Sequence, residues 1–248
     1  MENPKIDLVA EGLRIVNMAK QRNLALRLMG AVAVRLHCPK YAHLHMEMER
    51  ELSDLDLVGY ASQGSKISNF MHEIGYEKRP LRPSYGLEMR HKYISNTSGC
   101  IVDIFLDKLI MCHTVDFRNR LEIDYPTIPL AELLLTKLQI VNFTEKDFKD
   151  VAILFMEHNV GEGDEETINS ELISKVLSED WGFYYTATTN LKKILTLLSA
   201  QNGLKENKED IERKINILLE EIEKKPKSFR WKMRAKIGTK KKWYNEVF

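Results

Sequence analysis

Residues 53–58 read SDLDLV, two aspartates alternating with leucines inside a run that otherwise has the composition of a buried strand. Aspartate is depleted in strands, and a carboxylate taken out of water without a partner is costly. Side chains alternate faces along a strand. Asp54 and Asp56 therefore project to one side, about 7 Å apart along the chain, while Leu55 and Leu57 turn to the core. Two carboxylates aimed together repel one another unless a cation lies between them, and hard oxygen ligands suit Mg²⁺. The plainer alternative is a solvated polar face of an edge strand, because D-x-D spacing recurs by chance.

Two neighbouring stretches bear on that choice. LALRLM (24–29) is a short strand-like run ended by Gly30, and AVAVRLH (31–37) favours a short helix. A strand–glycine–helix junction presents free backbone N–H groups and the positive end of a helix dipole, which together hold phosphate. Further on, CIVDIFL (100–106) sets Asp103 in the middle of an apolar run, sharing a strand face with Ile101 and Phe105.

Outward from these strands, 8–22 shows apolar positions at helical spacing. The stretch 38–52 is a polar connection, 55–60 a strand and 66–74 a helix. After the loop KRPLRPSYG come two β-like runs, 87–94 and 100–106, joined by NTSG as a hairpin. From Pro129 the pattern turns helical. LAELLLTKLQIV is strongly periodic, Thr144 to Asp147 spells a capping box opening FKDVAILFMEH, and further helices are expected near 166–179, 188–201 and 208–224. The fold class is α+β, a small mixed sheet flanked by helices and then a helical region. The boundary is set between Asp124 and Pro129, giving domains 1–125 and 126–248.

The 248 residues are 44% hydrophobic, enough for a real core, and the net charge of +1 excludes a chain that binds polyanions as a whole. Charge is nonetheless uneven. Lys224 to Lys242 holds ten Lys or Arg and no acid, whereas EGDEE (162–166) is acidic. Cations interleaved with Phe229, Trp231, Trp243 and Tyr244 suit RNA, by phosphate attraction and base stacking; a basic helix with its aromatics packed on the domain is the structural alternative. No signal-peptide pattern and no apolar run near membrane length is seen, so a cytoplasmic protein with no membrane partner is expected. Cys38, Cys100 and Cys112 form no C-x-x-C pair and read as reduced thiols. His37, His43 and His45 lack a matching cysteine pair or fourth ligand, so zinc is not expected.

Glycine turn, D-x-D strand and a later strand aspartate together resemble the DNA polymerase β-like nucleotidyltransferase superfamily. The resemblance runs through LRLMGAVAV, RELSDLDLVGY with Ser53 directly before Asp54, and CIVDIF. LLLTKLQIVNFTEKDFKD adds likeness to the Lys…Lys-Asp-x-x-Asp segment of abortive-infection-type (AbiEii-like) members, for coverage of 8–158. It implies two Mg²⁺ ions between Asp54, Asp56 and Asp103, with Asp103 helping to deprotonate the acceptor. It further implies transfer of a nucleoside monophosphate from an NTP to an acceptor hydroxyl on a small molecule, tRNA or other RNA, or protein, in a toxin-like role for some members. Gly30, Ala31 and Ser53 would border the nucleotide, and Lys137 could reach the triphosphate or be a solvated lysine. Asp147 is read as a capping acid, Asp150 as a partner for Lys146 or Lys137, and Arg35 and Arg50 as surface arginines or phosphate contacts. Ala31 departs from the family's Gly or Ser, keeping the amide and removing a hydroxyl, and the gap from Gly30 to Asp54 is long. The alternative is a non-catalytic nucleotide- or RNA-binding protein that retains the fold.

Overall fold

The computed structural model describes residues 6–48, 50–80, 89–198 and 207–247. Most of the KRPLRPSYG loop, the start of the 87–94 run and the end of the 188–201 helix lie outside them. The fold is α+β. In chain order come α1 (Leu8–Gln21), β1 (Leu26–Met29), α2 (Gly30–His37), α3 (Ala42–Glu47), β2 (Leu55–Gly59), α4 (Gly64–Glu73), β3 (Tyr76–Arg79), β4 (Arg90–Ser95) and β5 (Ile101–Leu106). There follow β6 (Lys108–Ile110), β7 (Thr114–Asp116), α5 (Leu130–Leu138), α6 (Glu145–Glu157), β8 (Asn159–Gly161), β9 (Thr167–Asn169), α7 (Ser170–Glu179), α8 (Trp181–Leu198), α9 (Lys208–Lys224) and α10 (Phe229–Ile237).

The chain divides into two units. The first comprises the described residues of Met1–Leu36, Glu51–Ile110 and Thr114–Pro129; the second those of His37–Arg50, Met111–His113 and Leu130–Phe248. Thus 37–50 and the tip of the β6–β7 hairpin belong with the helical half.

The first unit is organised by a five-stranded mixed sheet in the order β1-β2-β5-β4-β3. β2 and β5 pair in parallel, and the other pairs are antiparallel. Leu26, Leu28, Leu55, Leu57, Val102 and Ile104 are fully buried on one face. There Gly12 of α1 lets the helix close on the side chains of Leu28 and Leu55. Alternation then forces Asp54, Asp56 and Asp103 onto the opposite face. The polar connection expected over 38–52 contains α3, and YEKR, buried at Tyr76 and exposed at the three charged residues after it, forms edge strand β3, two elements with no strong periodicity in sequence.

In the second unit α5 is buried along its whole length, its polar Glu132, Thr136 and Lys137 included. The Thr144–Asp147 capping box is present: the Asp147 carboxylate accepts from the Thr144 backbone N–H (2.9 Å) and hydroxyl (2.7 Å), opening α6. Helices α7, α8 and α9 pack together around Ile173, Leu177, Leu191, Ile194, Ile211, Ile215 and Leu218. Within the described residues no helix is long and apolar enough to cross a membrane.

Candidate active site

Register builds the site. In the parallel β2–β5 pair, Asp56 stands opposite Asp103, so their side chains rise side by side from one sheet face, with Asp54 one alternation earlier. Carboxylate oxygens of Asp54, Asp56 and Asp103 all lie within 4.8 Å of one another, and these are the only His/Cys/Asp/Glu cluster of metal-binding geometry among the described residues. Exposure grades from Asp54, which is open to solvent, through half-buried Asp56 to buried Asp103. Ser53 Oγ donates to Asp54 Oδ1 at 2.9 Å and orients that outer carboxylate.

Gly30 completes the arrangement. Met29, the last residue of β1, is in register with Asp56, so the chain turns into α2 directly beside that carboxylate. Gly30 has φ +69°, and a Cβ there would lie 2.5 Å from Asp56 Oδ2. Only glycine meets both conditions without strain. The backbone N–H groups of Ala31 and the next residues open α2 and have no partner within the helix.

Arg90 was not singled out in the sequence, and it is the strongest partner in the site. Its Nε and Nη2 donate to the two oxygens of Asp103 at 3.1 and 2.8 Å. Its guanidinium lies 5.4 Å from the Phe105 ring. The hydrogen bonds to Asp103 hold the guanidinium pKa above its usual value against the opposing effect of burial, and the charges of Asp103, Asp56 and Asp54 add to them. The hairpin register pairs Arg90 with Phe105 and Lys92 with Asp103, which places both cations on the aspartate face. Counting alternation back from the NTSG turn would have found them.

Asp107, directly after β5, has a structural role. Its backbone is left-handed, φ +59°, and its Oδ1 accepts from the Ala61 N–H at 2.9 Å. Lys137 is buried in the second unit with Nζ 2.7 Å from Asp150 Oδ2, and Arg50 makes a two-pronged contact to the same carboxylate at 2.9 and 3.0 Å. Burial opposes ionisation of Asp150, but the Lys137 and Arg50 charges outweigh it and hold its pKa below the ordinary range. Asp150 thus takes Lys137, one of its two expected partners. His37 meets His158 edge-on at 5.9 Å and His43 lies 6.5 Å from Tyr41; the side chain of His45 is outside the described residues.

No family model matches the chain, and no curated protein matches it. Among solved structures it is similar to the solution structure of the antibiotic-resistance factor ANT(2'')-Ia. Identity is 10%, over 58% of this chain and 80% of that one, with a TM-score of 0.39.

Proposed function

We propose that the first unit is the catalytic domain of a Mg²⁺-dependent nucleotidyltransferase, moving a nucleoside monophosphate from an NTP to an acceptor hydroxyl with release of pyrophosphate. One observation carries this reading. Three strand carboxylates converge within 4.8 Å beside a glycine whose missing side chain is the space that Asp56 occupies.

The donor set fits a hard divalent cation: three carboxylates, graded from solvent to core, with nothing softer among them. Asp54, Asp56 and Asp103 would hold a pair of Mg²⁺ ions, which when bound polarise the α-phosphate and neutralise charge on the attacking and leaving oxygens. The amides that open α2 after Gly30 bind phosphate oxygens, so Ala31 contributes through its backbone alone. Ser53 fixes the Asp54 carboxylate. Arg90 sets a positive charge at the rim of the site, opposite the negative charge of the triphosphate. Asp103, the most buried of the three acids, is the proposed acceptor of the hydroxyl proton, once its oxygens are released from Arg90. Lys137 is committed to Asp150 and takes no part.

A second reading, a non-catalytic nucleotide-binding protein, is favoured by one feature: the Arg90–Asp103 pair compensates part of the acidic cluster without any metal. The two readings separate in one assay. The protein is incubated with each α-labelled NTP and Mg²⁺, alone, with total tRNA and with a cell extract as acceptor sources. Label transfer by the wild type that Asp56→Asn abolishes supports the enzyme; nucleotide binding without transfer to any acceptor supports the second reading.

A further inference from the structure

Among the described residues, helix α10 is fastened to the rest of the second unit by one side. Trp231 meets Tyr184 edge-on at 5.1 Å, and the Arg234 guanidinium lies 4.7 Å over the Trp181 ring. Just beyond the helix, Trp243 Nε1 donates to Thr186 Oγ1 at 3.1 Å. Two of the aromatics that could have stacked on bases are therefore spent on holding the tail to the protein.

The other side of α10 is open. Phe229, Met233 and Ile237 are 80%, 47% and 44% exposed. At intervals of four residues they form a single stripe along the helix. Exposed Lys232 and Lys236 flank the stripe on one side and Arg230 on the other, and exposed Lys240 and Lys241 follow the helix. Among the described residues these five cations make no ion pair, unlike Lys224, Lys225 and Lys242, which meet glutamates. An apolar stripe bordered by unpaired cations fits a surface that is itself apolar and anionic.

We propose that this face of α10 docks peripherally on an anionic lipid surface. The helix would lie in the headgroup plane, with Phe229, Met233 and Ile237 entering the acyl boundary and the five cations meeting lipid phosphates. A second copy of the chain is a poor occupant, since two such faces would bring ten unpaired cations together. Nucleic acid would satisfy the cations and one aromatic but leave Met233 and Ile237 facing water. This departs from the expectation of no membrane partner, which rested on the lack of an apolar run of membrane length; a peripheral contact needs no such run. The inference is independent of the active-site reading.

The test is co-sedimentation of the full chain with vesicles of phosphatidylcholine, with and without phosphatidylglycerol, at low salt. The chain should sediment with the anionic vesicles and not with the neutral ones. Combined Phe229→Ser, Met233→Ser and Ile237→Ser should weaken binding at least about tenfold. Combined Arg230→Gln, Lys232→Gln and Lys236→Gln should weaken it about a hundredfold. Because every substituted side chain is exposed, both variants should melt with the wild type. Failure to bind anionic vesicles overturns the proposal. So does binding that survives loss of the apolar stripe, which is electrostatic adsorption only. A cation-dependent affinity for single-stranded RNA with vesicles ignored would assign the face to nucleic acid instead.

Discussion

Arg90 reaches Asp103 diagonally across the β4–β5 pair with two N–H···O contacts, 3.1 and 2.8 Å, at a site where two more carboxylates converge. The guanidinium supplies, in the metal-free protein, the positive charge that such a cluster needs. A divalent ion binding between the aspartates must displace or outweigh it. Arg90→Gln should therefore tighten divalent binding by about tenfold, read by Mn²⁺ paramagnetic resonance titration. Equal or weaker Mn²⁺ affinity would show that Arg90 does not compete for Asp103.

The same pair changes the expected stability of Asp103→Asn. Three repelling acids alone would make the substitution neutral or stabilising, but Asp103 is ion-paired with a partly exposed arginine. Loss of that pair outweighs the relief of repulsion, for a net cost of about 1 kcal/mol in urea unfolding while nucleotidyl transfer falls by orders of magnitude.

Gly30→Ala tests the junction that sets Asp56. The new Cβ demands space held by Asp56 Oδ2 and sits on a backbone at φ +69°. We expect a loss of about 1–2 kcal/mol in stability and weaker Mn²⁺ binding, because the carboxylate must move. Unchanged Mn²⁺ affinity would mean that Asp56 is not held in place by this contact.

Asp107 separates a backbone role from a charge role. Asn tolerates the left-handed region and keeps an oxygen for the Ala61 N–H, so Asp107→Asn should change stability by less than about 0.5 kcal/mol. Asp107→Ala loses both and should cost about 1–2 kcal/mol. Thermal melts of the pair give the comparison.

His113 makes the second unit pH-sensitive. Its ring is stacked on Phe183 at 5.0 Å and within 2.8 Å of Thr186 Oγ1, and burial pushes its pKa down to about 4. The unfolded imidazole binds its proton near pH 6.5, so between about pH 6.5 and 4 the unfolded state holds more protons. Stability present above pH 6.5 is thus lost as the pH falls through that window, by an amount on the order of 3 kcal/mol. His113→Phe keeps a stacking ring and should flatten the dependence; an unchanged profile would place the titration elsewhere.

Much of the site was legible because its chemistry forbids ordinary explanations. Paired aspartates in a strand, a glycine between strand and helix, and an acid within CIVDIFL each contradict local propensity, and the structure brings all of them together. Arg90 was hidden because an arginine at a strand edge contradicts nothing; only the hairpin register places it against Asp103. The Lys137–Asp150–Arg50 cluster was half legible. The sequence offered Lys137 as one of two partners for Asp150, whereas Arg50 comes from a polar segment a hundred residues earlier whose short helix carries little periodicity.

The central claim is that Asp54, Asp56 and Asp103 hold the divalent ions that serve a nucleoside triphosphate. The most direct measurement is the number of Mn²⁺ ions bound per chain, by paramagnetic resonance, in the presence of a non-hydrolysable NTP analogue. The wild type should bind about two ions, more tightly with the analogue than without it, and Asp56→Asn should lose both sites while remaining folded. Mn²⁺ binding that is absent from the wild type, indifferent to the analogue or unchanged in Asp56→Asn would contradict the account.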